Sequence, residues 1–144
     1  SMQKPMWIGC GALIGLAAAI LPAVADEIPD LVGTWKGMAN AVHVGPTPYR
    51  VAEGNGPTFG SNEIEFVYVV KEQQDSRFAG ETVGKFTETF VGALRPPAYR
   101  TGVFVDEDGT YDFTLRDATT IDLCYHHVYP TSKVVACFTL TKQP

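Results

Sequence analysis

From Val32 to Lys142 apolar and polar residues alternate in short runs with a period of two, and almost no stretch repeats at the 3.6-residue period of a helix. That pattern restricts the chain to all-β architectures. Eight runs read as strands: 32–44, 63–73, 77–84, 85–94, 99–107, 110–117, 120–128 and 133–142. Asp108-Gly109 is a strong hairpin signal, and "RPPAY" turns the chain before Arg100. Residues 45–62, "GPTPYRVAEGNGPTFGSN", read as one long loop, and loops of that length are usually functional or mobile. Eight short strands joined mostly by tight turns predict an eight-stranded antiparallel up-and-down β-barrel, because closure removes exposed sheet edges. A two-sheet sandwich is the alternative. The 144 residues suffice for one domain with a core and are too few for two.

The first 25 residues differ in kind. Lys4 precedes the apolar stretch "WIGCGALIGLAAAILP", and Ala23, Val24 and Ala25 form a small-x-small site before Asp26. These features predict a secretory signal peptide cleaved after Ala25, a barrel domain over 26–144, and a periplasmic or secreted protein. An uncleaved apolar anchor helix is the rival, since Trp7 to Ala25 is just long enough to span a bilayer. Membrane attachment is expected only in that case. The net charge of −5 and the absence of a basic run exclude nucleic acid as a partner.

Export leaves two cysteines, Cys124 and Cys137, in an oxidising compartment. Pairing positions that sum to 261 sets Ile121 opposite Leu140, Leu123 opposite Phe138, Tyr125 opposite Ala136 and His127 opposite Val134 on one apolar face. The same register sets Cys124 opposite Cys137 on the other face, within disulfide reach. For the hairpin over Asp108-Gly109, a sum of 217 sets Phe104 opposite Phe113 and Gly102 opposite Leu115.

"LVGTWKG" (31–37) resembles the G-x-W signature of the calycin superfamily, small barrels that include lipocalins and avidins. Gly33 and Trp35 match the motif. The resemblance implies that Trp35 plugs the closed end of the barrel and that a basic residue near the last strand, Lys142, packs over it. Biotin binding of the avidin kind is not expected, because 26–144 carry Trp35 as their single tryptophan. No cofactor is expected either.

Inward-facing candidates include Trp35, Phe66, Tyr68, Phe104, Tyr111, Phe113, Leu115, Leu123, Tyr125, Phe138 and Leu140. On the face of Trp35, strand one continues with Gly37, Ala39, Ala41 and His43, which are small until the histidine. A ligand pocket is therefore expected beside strand one, walled by Ala39, Ala41, His43, Tyr68, Tyr125 and His127, with 45–62 as a lid. The competing expectation is a filled core. His126 and His127 alternate faces, so no shared metal is expected, and a meeting of His43 with His127 is left open. "VDEDG" (105–109) reads as a turn rather than a calcium loop, because it lacks alternating ligands. Glu88 lies between Phe86 and Phe90, and an inward position would raise its pKa and make it a candidate base.

The expected function is a non-enzymatic exported barrel that binds a small apolar or aromatic ligand. The alternative is a filled barrel acting as an interaction or inhibitor module of the cell envelope through 45–62, with Tyr49, Arg50 and Phe59. Outward Val67, Val69, Val103 and Val105 offer a face for homo-oligomers. An enzyme using His43, Glu88 or His127 is the third reading.

Overall fold

The period-two alternation is realised as ten antiparallel strands: β1 (Gly33–Ala39), β2 (Val42–Val44), β3 (Thr58–Phe59), β4 (Ile64–Gln74), β5 (Arg77–Val83), β6 (Glu88–Leu94), β7 (Thr101–Val105), β8 (Thr110–Asp117), β9 (Thr120–Val128) and β10 (Lys133–Lys142). The structure is a computed structural model that describes residues 26–49, 54–61 and 63–144. The expected signal or anchor segment (1–25) and Arg50 lie outside the described residues. Among the described residues there is no helix.

The sheet runs β1-β4-β5-β6-β7-β8-β9-β10, and β1 pairs back onto β10 to close it. β2 continues β1 in the same register along β10: Trp35 lies opposite Lys142, and Val44 opposite Lys133. β1 and β2 are thus two stretches of one stave, interrupted where Asn40 Oδ1 accepts the Ala41 amide. Counted this way, the fold is the expected closed eight-stranded antiparallel barrel.

Two readings of the sequence need correction. The 45–62 segment is not structureless throughout, because β3 pairs with β2, His43 opposite Thr58. The Gly60 amide donates to Ala41 O at 2.8 Å, and Asn40 Nδ2 donates to Gly60 O at 2.6 Å. The β7–β8 hairpin is also shifted by two residues. Gly102 lies opposite Phe113 and Phe104 opposite Tyr111. The turn opens earlier than Asp108-Gly109 alone implies, because Asp106 Oδ1 accepts the amides of Asp108 and Gly109 at 3.2 and 2.8 Å. A shift of two residues keeps every side chain on its face. It also sets the Phe113 ring over Gly102, where a Cβ would lie 2.3 Å from the ring.

The last hairpin has the expected register, from Ile121 opposite Leu140 to His127 opposite Val134. Cys124 and Cys137 are disulfide-bonded on the outer wall, with Cα atoms 4.0 Å apart.

The lower end of the barrel is filled. Trp35 is 1% exposed, and its indole Nε1 donates to Leu31 O at 2.9 Å. Lys142 Nζ sits 5.4 Å from the Trp35 ring centroid, the packing that the resemblance implies. Gly33 has φ +137°, and a Cβ there would lie 2.9 Å from Lys142 Cε, so glycine suits the position on two counts. Gln73 pins the cover, accepting from the Leu31 amide and donating to Pro29 O. Above this layer an aromatic cluster fills the interior, with Phe104 and Tyr111 stacked at 4.0 Å. All eleven expected inward residues belong to the buried core or pack against it, joined by Leu31, Phe78, Phe90, Leu94 and Ile121.

Candidate functional site

The end opposite Trp35 is hollow. Ala39, Ala41, His43, Tyr68, Tyr125 and His127 all line one cavity of about 70 Å³. Alternation produces it: β1 and β2 send only small side chains inward between Trp35 and His43, and Ala136 faces them from β10. Phe66, Tyr68 and Phe138 form the floor, with Phe66 and Phe138 ring centroids 5.8 Å apart. Tyr68 also borders a second, apolar void of about 30 Å³ in the filled half, so it separates the two halves.

Thr47, Pro48 and Tyr49 cover the cavity from the start of the 45–62 segment. The Tyr49 ring lies 5.4 Å from Phe66 and 5.5 Å from Phe86, and Lys85 Nζ donates to Pro48 O at 3.0 Å. This end of the expected lid is therefore held down by the turn between β5 and β6.

The rim is acidic. Glu88, Asp106 and Asp108 each bring a carboxylate oxygen within 4.8 Å of the others. The turn reading of 105–109 explains Asp106, which also accepts Tyr111 Oη–H at 2.7 Å. It concealed Asp108 as a lining residue and did not connect either acid with Glu88. The connecting signal is strand register: β6 and β7 pair Val91 with Val105, and the same offset carried to the rim sets Glu88 across from Asp108. Burial first, then Asp108, Asp106 and Glu107, push the Glu88 carboxyl up to about 7. Burial likewise raises Asp106, Tyr111 and Tyr125, and lifts Tyr49 to about 12. Burial leads each of these shifts and penalises charge of either sign; the mutual repulsion of Glu88, Asp106 and Asp108 is the part that a positive group would relieve.

The histidines separate as alternation requires. His126 stands outside, 3.5 Å from Asp112 Oδ2, whereas His127 is buried. His127 Nε2 lies 2.9 Å from Ser132 Oγ, and its Nδ1 lies 3.7 Å from Asp108 Oδ2. The order serine–histidine–aspartate invites a hydrolase reading. Against it, Ser132 is buried and lines none of the described cavities, and Tyr125 Oη–H donates to Asp108 Oδ1 at 2.8 Å. A nucleophile must reach its substrate, and this hydroxyl faces none. His43 and His127 both line the cavity, but Val134 stands between them in the sheet. Of the outward valines, Val103 and Val105 are exposed beside Val91, while Val67 and Val69 are half-buried. No family model, curated protein or solved structure matches the chain.

Proposed function

We propose that this chain is a non-enzymatic, exported calycin-like barrel that binds a compact ligand in the open half of its interior. The observation that carries the reading is the division of the barrel: one end is packed around Trp35, while the other keeps a cavity with an apolar floor, a polar rim and a tyrosine cover. That is the usual composition of a small-molecule site. Its volume of about 70 Å³ limits the enclosed part of the ligand, since dry cavities that hold benzene measure about 150 Å³. The disulfide on the outer wall supports an oxidising compartment, periplasmic or secreted.

Thermal unfolding with a panel of small apolar, aromatic and amphipathic molecules tests this. A binder raises Tm in the wild type. It loses that effect in Ala41→Leu, which fills the cavity from the wall. A rise in Tm that persists undiminished in Ala41→Leu contradicts the reading.

The interaction-module reading has one observation in its favour. Phe59, on the edge strand β3, is 77% exposed. Capture of a discrete envelope protein by the wild type but not by Phe59→Ser supports that alternative.

A further inference from the structure

Among the described residues, opposite walls of the cavity carry acceptor groups, a histidine nitrogen on one and carboxylates on the other. His43, on β2, is 2% exposed. Its Nδ1 lies 3.1 Å from the carbonyl oxygen of Gly45. A carbonyl only accepts, so Nδ1 carries the proton there, and in the tautomer this selects Nε2 is a bare lone pair. Nε2 is buried and has no hydrogen-bond partner, an uncommon state for a buried polar atom.

The facing wall is the acidic rim on β6 and the β7–β8 turn. Asp106 is committed to two amides and Tyr111, and Asp108 Oδ1 to Tyr125. Glu88 and Asp108 both line the cavity, with Asp108 Oδ2 3.7 Å from His127 Nδ1. Among the described residues no lysine or arginine lines it, and nearby Lys85 donates to Pro48 O. A single metal ion among the carboxylates would leave His43 unsatisfied, because His43 is not within 4.8 Å of that group. The occupant must reach both walls and donate at each.

The geometry points to a short primary amine with a second hydrogen-bond donor at its far end, a diamine or amino alcohol, its ammonium held between Glu88 and Asp108 and its far donor on His43 Nε2. The Tyr68 and Phe66 rings underlie its carbon chain, and aromatic faces attract an ammonium group as well. The proposal rests on the open end being a ligand site and names the chemistry of its ligand.

The test is thermal unfolding of the full chain at fixed ionic strength with putrescine, aminobutanol, butylamine, butanediol or calcium chloride. Putrescine and aminobutanol at large excess over Kd raise Tm by about 5 °C or more. Butylamine gives a smaller rise and butanediol little. His43→Leu removes the advantage of aminobutanol over butylamine, and Glu88→Gln weakens every amine by roughly tenfold, the usual effect of losing a charge-assisted contact. The wild-type series decides the matter even if a variant folds poorly. Equal stabilisation by butanediol and aminobutanol overturns the amine assignment while leaving a ligand pocket standing. A response to calcium alone overturns it in favour of a metal site. No response to any probe overturns the amine proposal, while a binder in the broader panel would still support the pocket.

Discussion

Glu88 shows how one residue is both legible and concealed. Its alternation with Phe86 and Phe90 suggests an inward acid with a raised pKa, and the structure has its carboxyl at about 7. Its partners come from another strand's turn, which strand-by-strand reading treats as solvent-facing. The raised pKa has a stability consequence. The unfolded chain releases this proton near 4.5, whereas the folded one holds it to about 7. Between those values the native state binds more protons, so stability falls as pH rises through that window. The carboxylates of Asp106, Asp108 and Glu107 and the phenols of Tyr49, Tyr111 and Tyr125 face the same rim, together with His43 and His127. Asp106 shifts in the same direction and steepens the fall. Allowing for solvent screening at the half-exposed rim, Glu88 contributes about 1 kcal/mol of this loss. Thermal unfolding against pH should show the decline, and Glu88→Gln should flatten it. A profile that rises from pH 5 to pH 7.5 contradicts the placement of the three acids. Gly102 gives a second residue-scale prediction. Gly102→Ala drives a Cβ into the Phe113 ring and costs about 1–3 kcal/mol by denaturant unfolding. An unchanged midpoint argues against the observed register.

Hairpins were legible to the extent that their turns obeyed simple chemistry. In β9 and β10, three apolar pairs, the His127–Val134 pair on the same face and one cysteine pair agree on a single register, and the structure has that register. In β7 and β8, the aromatic residues satisfy two registers that differ by two positions, since both keep the same face inward. The choice between them is made by the Asp106 side chain, which caps the turn. β3 was hidden for a related reason: two residues in a Gly/Pro-rich segment carry no period, and their pairing depends on the end of β2 lying free beside them. The disulfide belongs to this scale. It closes a loop between residues 13 apart in sequence. The Cys124→Ser, Cys137→Ser double variant should lose about 3 kcal/mol, and reductant should leave that variant unaffected while destabilising the wild type. Equal urea midpoints for the two proteins would show that the staple contributes nothing.

The molecule as a whole divides its work between its ends. Trp35, Leu31 and the aromatic cluster supply the packing, and the end roofed by Tyr49 supplies the cavity. The sequence showed strand number and closure well, because edge removal leaves few alternatives for a meander of this length. It could not decide between a hollow and a filled interior, because that depends on how eight staves share volume. The outcome is both, with Tyr68 between the halves. Stability and binding should separate accordingly. Trp35→Ala should cost about 3–5 kcal/mol, as large aromatic deletions do. Ala41→Leu should change stability by less than about 1.5 kcal/mol and still block the cavity. The central claim is that the open end receives a short amine, and backbone amide NMR of the uniformly labelled chain titrated with aminobutanol tests it most directly. The account predicts saturable shifts concentrated at Ala39, His43, Glu88, Asp108 and Tyr125, with Trp35 and the Val91–Val103 face unmoved. Shifts that centre on that outer face, or none at saturating ligand, would contradict it.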